Sequence, residues 1–419
     1  MPFSIRRAGL WAGAVLIHVQ MPCMAMAQAE IVAKVGRLAN LVEQSLANQP
    51  EVLAAQAALE STREQLSGSA LPLNNPELEL EAERTGINSY SIGFSQTLDW
   101  HDKQDALQQV VQTRVDVAEH QLQVLKLTKS AELLHAVGGM LTRRRIRHLA
   151  RERADMLTRF VQLAEKRHKV GDIPLVELEL ARLSLAEARM EQAGKSALLV
   201  ETGADFYRLS GIRLPEEIRL PEQLAVSTLS DNEATAIARQ HPAVVTAQGN
   251  ARIARSLILA ADRVRKPDPT LGLSAGREDR ENLLSLSLSI PMHLRNDFSS
   301  EVKAAEAESL QAEHDADRIF RDTLAGLHAS HRRFRIFDDA WQAWSSLGRV
   351  SLQQRLELLE RQWQAGELSS TDYLLQIEQS LETRITAAEL RGDRWNAWVE
   401  WLSASARLDD WLYRTAKEQ

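Results

Sequence analysis

The sequence predicts a mainly α chain with a small β part, built from long helical hairpins in two tandem repeats that carry two strands each. Three observations predict it. Two stretches of about 67 residues run without proline. Four short segments alternate apolar and polar residues with period two. A set of landmarks recurs in one order at one spacing.

The landmarks establish the duplication. Asn48-Gln49-Pro50-Glu51-Val52 resembles Arg239-Gln240-His241-Pro242-Ala243-Val244, Asn75-Pro76 resembles Asp268-Pro269, and Lys166 to Asp172 resembles Arg361 to Glu367. Each partner lies about 190–195 residues further on. Each repeat therefore reads helix, two strands, very long helix, tight turn, helix. The boundaries are 1–29 for a signal peptide and 30–210 for the first repeat, with strands 77–84 and 90–98, long helix 103–169 and helix 174–210. A linker covers 211–230, where Pro215 and Pro221 stand. The second repeat covers 231–407, with strands 269–276 and 283–291, long helix 298–364 and helix 369–407, and 408–419 forms a tail.

At the start, Arg6 and Arg7 form a basic region before the apolar run Leu10 to Val19, which is too short to span a bilayer. Ala25-Met26-Ala27 or Ala27-Gln28-Ala29 fits a cleavage site. The single cysteine, Cys23, falls inside this signal, so no disulfide or thiolate metal site is expected. Charged residues are 26% of the 419 and the net charge is −7. That balance argues against a nucleic-acid partner, which would want a basic face. The mean hydropathy of −0.29 points to a surface that mostly meets water. After the signal no apolar run is long enough for a membrane-spanning helix, so a membrane crossing would have to use strands in a closed barrel.

The long helices, Lys103 to Lys169 and Phe298 to Gln364, would each measure about 100 Å, which implies a coiled coil or helical tube. The Gly138-Gly139 pair is the one weak spot of the first. Leu178 and Leu185, Ala181 and Ala188, and Leu374 and Leu381 stand seven apart and mark a helix–helix seam. Gly171 and Gly366 suit the left-handed conformation that ends a helix. Asp172 and Pro174 suit the start of the next helix, and Ser369 with Asp372 reads as a capping box. Both connections are short, so the helices fold back as antiparallel hairpins.

The strand candidates have two faces. Glu77, Glu79, Glu81 and Glu83 alternate with Leu78, Leu80 and Ala82. Ile92 and Phe94 oppose Ser91, Gly93 and Ser95; Leu271, Leu273 and Ala275 oppose Thr270, Gly272, Ser274 and Gly276; Leu284, Leu286, Leu288 and Ile290 oppose Ser285, Ser287 and Ser289. Gly86 and Asn88 separate the first pair, and the charged stretch Arg277 to Asn282 joins the second. Four strands cannot close a barrel of useful width, whereas three chains would supply twelve. A homotrimer follows from closure, with outer-membrane lipid against the leucines. The four glutamates would then line the lumen, either as rings of carboxylates that favour cations or simply as groups that solvate the pore wall.

Several residues carry no special chemistry. His328 and His331 read as surface histidines, and Arg143, Arg144 and Arg145 as solvated. Trp395, Trp398 and Trp401 recur at helical spacing and are expected to pack around the linker. There is no Gly-rich phosphate loop, nucleophile elbow or carboxylate pair in an acid–base setting. No enzyme activity, catalytic residue, metal site or cofactor is expected.

These residues together resemble the outer-membrane factor family, the TolC-like channels of tripartite pumps. The resemblance spans nearly the whole mature chain. It is carried by Asn75-Pro76-Glu77-Leu78-Glu79, Gly93-Phe94-Ser95-Gln96-Thr97-Leu98, Tyr207-Arg208-Leu209-Ser210-Gly211, Leu288-Ser289-Ile290-Pro291-Met292 and the two glycine turns. Ser289-Ile290-Pro291 followed by Arg295-Asn296 is most similar to the heavy-metal-efflux branch. The resemblance implies a trimeric periplasmic α-barrel on a 12-stranded transmembrane β-barrel in the outer membrane of a Gram-negative cell. It implies a periplasmic adaptor and a proton-driven inner-membrane pump as partners, and export of solutes that include heavy-metal cations. Drug efflux and type I protein secretion are the alternatives, with a periplasmic coiled-coil adaptor or structural protein behind them. By the same resemblance, Val170, Gly171, Asp172 and Ile173, and Ala365, Gly366, Glu367 and Leu368, are the adaptor-docking tips. Glu177 and Asp372 occupy the gate positions. Leu375 and Leu368 stand where the family has an acidic and a basic gate residue, which departs from its pattern.

Overall fold

The computed structural model describes residues 20–417 except 85, 87 and 225. The expected signal residues Arg6, Arg7 and Leu10 to Val19 therefore lie outside the described residues. Two compact units form, and neither coincides with a sequence repeat. One takes 1–49, 127–229 and 328–419; the other takes 50–126 and 230–327. Each repeat contributes its strands and their flanking helical segments to the second unit and its hairpin to the first.

Before the strands, each repeat carries two helices where one was expected. Helix α1 (Gln20–Ala47) is followed by α2 (Pro50–Ser69), and α5 (Asp231–Gln240) by α6 (Pro242–Val264). The prolines cause both breaks: a proline lacks the amide an interior helical position needs and is suited to the first turn of a new helix. Ser230 caps α5 by accepting from the Glu233 amide at 3.3 Å.

Strands β1 (Glu77–Arg84), β2 (Asn88–Thr97), β3 (Thr270–Glu278) and β4 (Glu281–Ser289) make one antiparallel sheet in the order β1-β2-β3-β4. The second hairpin is tighter than expected. Its strands run through the charged stretch and leave Asp279 and Arg280 as the turn, with Asp279 at φ 46°. The register pairs Leu78 with Phe94, Phe94 with Leu273, and Leu273 with Leu286. Because period two is kept across all four strands, the apolar strand positions named above fall on one face and the glutamate, serine and glycine positions on the other, where Leu283, opposite Gly276, is the apolar exception. Small residues are required there: a Cβ on Gly272 would overlap the Ser287 side chain, and one on Gly276 would overlap the Tyr90 carbonyl.

Helix α3 (Lys103–Lys169) leaves this sheet as one unbroken element. Asp99 supports its start, its carboxylate accepting from the Lys103 and Gln104 amides at 2.8 Å each. Desolvation alone would raise the Asp99 pKa, but these bonds and one from the His101 amide outweigh it and lower it below the ordinary value. A depressed carboxylate stabilises the fold above its unfolded pKa of about 3.9 and ceases to do so as pH falls through the lower folded value. Asp99→Ala is expected to cost about 1 kcal/mol at neutral pH. Thermal unfolding should show that deficit shrinking in strong acid; an equal deficit at both pH values would contradict it. Nearby, Lys103 Nζ meets Asp268 at 2.9 Å with both side chains largely buried, which ties the Asp268-Pro269 landmark to the helix start. Ala106, Val110 and Ala260 form one small buried cluster of this unit, where α3 packs on α6.

The second long helix is not uniform. It comprises α7 (Ser299–Ala343), a π turn at Trp344–Gly348 and α8 (Arg349–Gln364). A Cβ on Gly348 would overlap the Trp344 ring, so the wider turn and the missing side chain together accommodate that indole. Helices α4 (Leu175–Ser210) and α9 (Ser370–Ala404) return from the two tips. The expected seam forms: Leu178, Ala181, Ala188 and Leu381 are buried, with Leu185 and Leu374 packed against them.

The tail expected at 408–419 is instead helix α10 (Leu408–Lys417), which packs on α1 with Leu408 and Leu412 fully buried. The tryptophans of α9 also differ from expectation. Trp395 Nε1 donates to the Leu134 carbonyl at 2.8 Å, and its ring lies over Gly138. Trp395 and Trp398 both meet Trp411 of α10, Trp398 meets Phe334, and Trp401 meets His331. Their partners are therefore α3, α7 and α10. The linker is held by other groups: Arg394 pairs with Asp338 at 2.6 Å and donates to the Glu222 carbonyl at 3.0 Å, and His331 contacts the Ser227 carbonyl. The Gly138-Gly139 pair does not weaken α3; Gly138 is the gap the Trp395 indole fills.

Candidate functional site

Two regions position the residues singled out above, one in each unit. The first is the sheet. Glu77, Glu79, Glu81 and Glu83 share its polar face, all exposed. Ser95 donates to Glu79 at 3.0 Å, and Ser91 approaches Glu81 at 3.5 Å. No basic side chain pairs with the four among the described residues, so their charge is left to the space before this face. The opposite face is exposed too: Leu286 is 82% accessible, Leu284 77% and Leu80 74%. Removing one such side chain from water is worth about 1.5–3 kcal/mol. A contiguous leucine face of this size therefore calls for lipid or another apolar surface. No helix among the described residues is long and apolar enough to cross a membrane.

The second region is the pair of hairpin tips. Gly171 and Gly366 stand at φ 80° and 79°, the left-handed region. The two turns close identically. The Gly171 amide donates to the His168 carbonyl at 3.0 Å and the Asp172 amide to Arg167 at 2.9 Å; Gly366 donates to Trp363 at 3.1 Å and Glu367 to Gln362 at 2.9 Å. This paired pattern satisfies the last carbonyls of a helix around a residue with positive φ.

The eight tip residues divide. Val170, Gly171, Asp172, Ala365, Gly366 and Glu367 are exposed, whereas Ile173 and Leu368 turn inward onto a buried cluster with Phe160, Trp363, Tyr373 and Ile377. Asp172 does not cap α4 as expected; its carboxylate lies 3.6 Å from Arg167, and Pro174 is the cap residue. Two exposed residues that sequence reasoning left out, Leu175 and Val176, extend the apolar tip beside Val170.

Sequence reasoning also missed Arg167. Its guanidinium donates to the Trp363 and Gln364 carbonyls at 3.3 Å each and lies over the Trp363 ring at 5.1 Å, joining one tip to the other. The available signal was a basic residue in the last helical turn, where carbonyls lack partners. Beneath it Tyr373 stacks on both Phe160 and Trp363, and Phe160 meets Trp363 at a tilt, with centroids 4.5–5.4 Å apart. Burial pushes the Tyr373 phenol up to about 12.

The two gate positions are structurally equivalent, each three residues beyond its helix cap. Glu177 is half-buried in the first turn of α4, where the helix dipole favours a carboxylate. Asp372 completes the capping box: its amide donates to Ser369 Oγ at 3.1 Å, and Ser369 Oγ donates to its carboxylate at 2.7 Å. No group of three or more metal-ligating side chains occurs among the described residues.

No protein-family model matches this chain, and no curated protein matches it. Solved structures do. The chain superposes on CusC, a protein studied for folding and transmembrane channel formation, with a TM-score of 0.72 at 16% identity over 88% of this chain and 91% of that one. For the outer membrane protein VceC of Vibrio cholerae the values are 0.72, 16%, 88% and 96%. For the CmeC outer membrane channel of Campylobacter jejuni they are 0.71, 14%, 88% and 85%. At this identity the likeness establishes a shared fold: long helical hairpins joined to a small antiparallel sheet.

Proposed function

We propose that the chain is the outer-membrane duct of a tripartite efflux system, acting as a passive homotrimeric channel and not as an enzyme. One observation carries this reading: an open four-stranded sheet with a wholly exposed leucine face and an opposite face of glutamate, serine and glycine. Such a sheet has two unpaired edges and cannot rest in water. Three copies edge to edge would close twelve strands, bury the edges, turn the leucines to lipid and the glutamates to a water-filled lumen. The solved channels that share the fold support the same placement. On this reading 1–29 is a cleaved signal, and the helical hairpins extend into the periplasm of a Gram-negative cell. An adaptor seats on Val170–Ile173 and Ala365–Leu368, and a proton-driven inner-membrane pump supplies the cargo. The resemblance around Ser289-Ile290-Pro291 supports heavy-metal cations among that cargo.

The lumen assignment has a direct test. Twelve carboxylates around one pore would enrich cations. In a planar bilayer under a salt gradient, the reversal potential of the purified channel should show cation preference. Glu→Gln at positions 77, 79, 81 and 83 together should bring it towards zero. A wild-type channel without cation preference, or a quadruple variant that retains it, would remove the glutamates from the pore wall.

A further inference from the structure

Two of the three arginines expected to be solvated, Arg144 and Arg145, also border a half-open basic pocket, Arg145 keeping an exposed side chain. Arg144, Arg145 and His148 of α3, Arg219 of the linker and Arg391 of α9 line a space of about 290 Å³, over a floor of Leu141, Leu220 and Ala388. No carboxylate lines it. A guanidinium keeps its proton, so four of them around one space, with Arg391 the most buried, make a locally positive pocket.

The neighbouring acids are already engaged, Glu152 in part with His148 of the cavity itself. Glu152 holds Arg384 at 2.6 Å and His148 at 3.3 Å, and Asp338 holds Arg394. Arg219 is exposed and donates to the carbonyls of Glu216 and Ile218. Glu222 alone attracts Arg391, and it lines an adjoining cavity with Arg145 and Arg349. Burial, together with Arg394 and Arg145, holds Arg391 below the ordinary arginine pKa despite Glu222.

We propose that this cavity binds a small multivalent oxyanion, one carrying two or more phosphate or carboxylate groups. Forked guanidiniums on α3, α9 and the linker would grip its oxygens in pairs. A bound anion would also clamp the linker to the helices, because Arg219 and Leu220 belong to the linker itself. The inference is independent of whether the chain conducts solutes.

The test is calorimetric titration of the full chain in detergent with inorganic pyrophosphate. Saturable binding at one site per chain is expected, weakening as salt is added. Arg144→Gln and Arg391→Gln should each reduce affinity tenfold or more, while Arg147→Gln, an exposed arginine of the same helix outside the cavity, should not change it. Should burial of Arg391 make its variant fail to fold, the half-exposed Arg144 keeps the test sound. As a second readout, pyrophosphate should raise the unfolding temperature of the wild type but not of Arg144→Gln. No saturable binding, or an equal loss with Arg147→Gln, would overturn the proposal.

Discussion

Export should cease when either tip glycine is replaced by leucine, while the protein still reaches the membrane and assembles. Gly171 and Gly366 stand at φ 80° and 79°, where an L side chain costs about 1–2 kcal/mol. That cost is local. A Cβ at either position meets nothing within 4 Å, so no packing is disturbed behind it. The cluster of Phe160, Trp363 and Tyr373 that holds the hairpins together lies inward of the turns and would persist. What changes is the exposed knob: a bulky side chain stands out beside Val170 or Ala365, where a partner would have to seat. The measurement is export or resistance in a deletion strain complemented with Gly171→Leu or Gly366→Leu, beside the amount of assembled protein in the outer-membrane fraction. Normal export with normal assembly would end the docking role of the tips.

Trp395→Ala should be the most destabilising single change in the hairpin-bearing unit, by about 3–5 kcal/mol. Trp395 is 1% accessible, its indole NH is bonded to the Leu134 carbonyl, and its ring occupies the space over Gly138. Truncation would leave a large cavity and an unbonded carbonyl in a close-packed interior. Gly138→Val attacks the same contact from the other side, since a Cβ there would overlap the indole. The two variants should each lower the unfolding temperature of the solubilised protein, and combining them should cost less than the sum, because they remove one shared contact. A Trp395→Ala protein within about 0.5 kcal/mol of wild type would show that the indole is not part of the core.

Leucine and glutamate alternating from Glu77 to Glu83 named a strand and its two faces at once, since the pleat turns each next side chain over. The serines of β4 and the glycines of β3 did the same, and matching positions in the two repeats made the four strands one sheet. Gly171 and Gly366 marked turns because few residues but glycine hold a positive φ without strain. Elsewhere the sequence misled. Pro50 and Pro242 divide helices that read as one, and 408–419 reads only as a tail although Asp409, Asp410, Leu408 and Leu412 suit an amphipathic helix. Arg167, Leu175 and Val176 were missing from the tips because nothing in a single segment says that a cation will find the carbonyls of another hairpin.

Periodicity, glycine and proline placement and duplication belong to the chain as it is written: the backbone imposes them within a few residues, and a repeat is visible in any string. They sufficed for the long helices, the strands, the faces and the turns. Which partners those faces take is a matter of residues far apart in the chain. Trp395 meeting Gly138, Arg167 reaching Trp363, and Arg144, Arg219 and Arg391 converging on one cavity all join positions tens to hundreds of residues apart. Such meetings depend on where helices cross, which packing of the whole sets and no local pattern encodes.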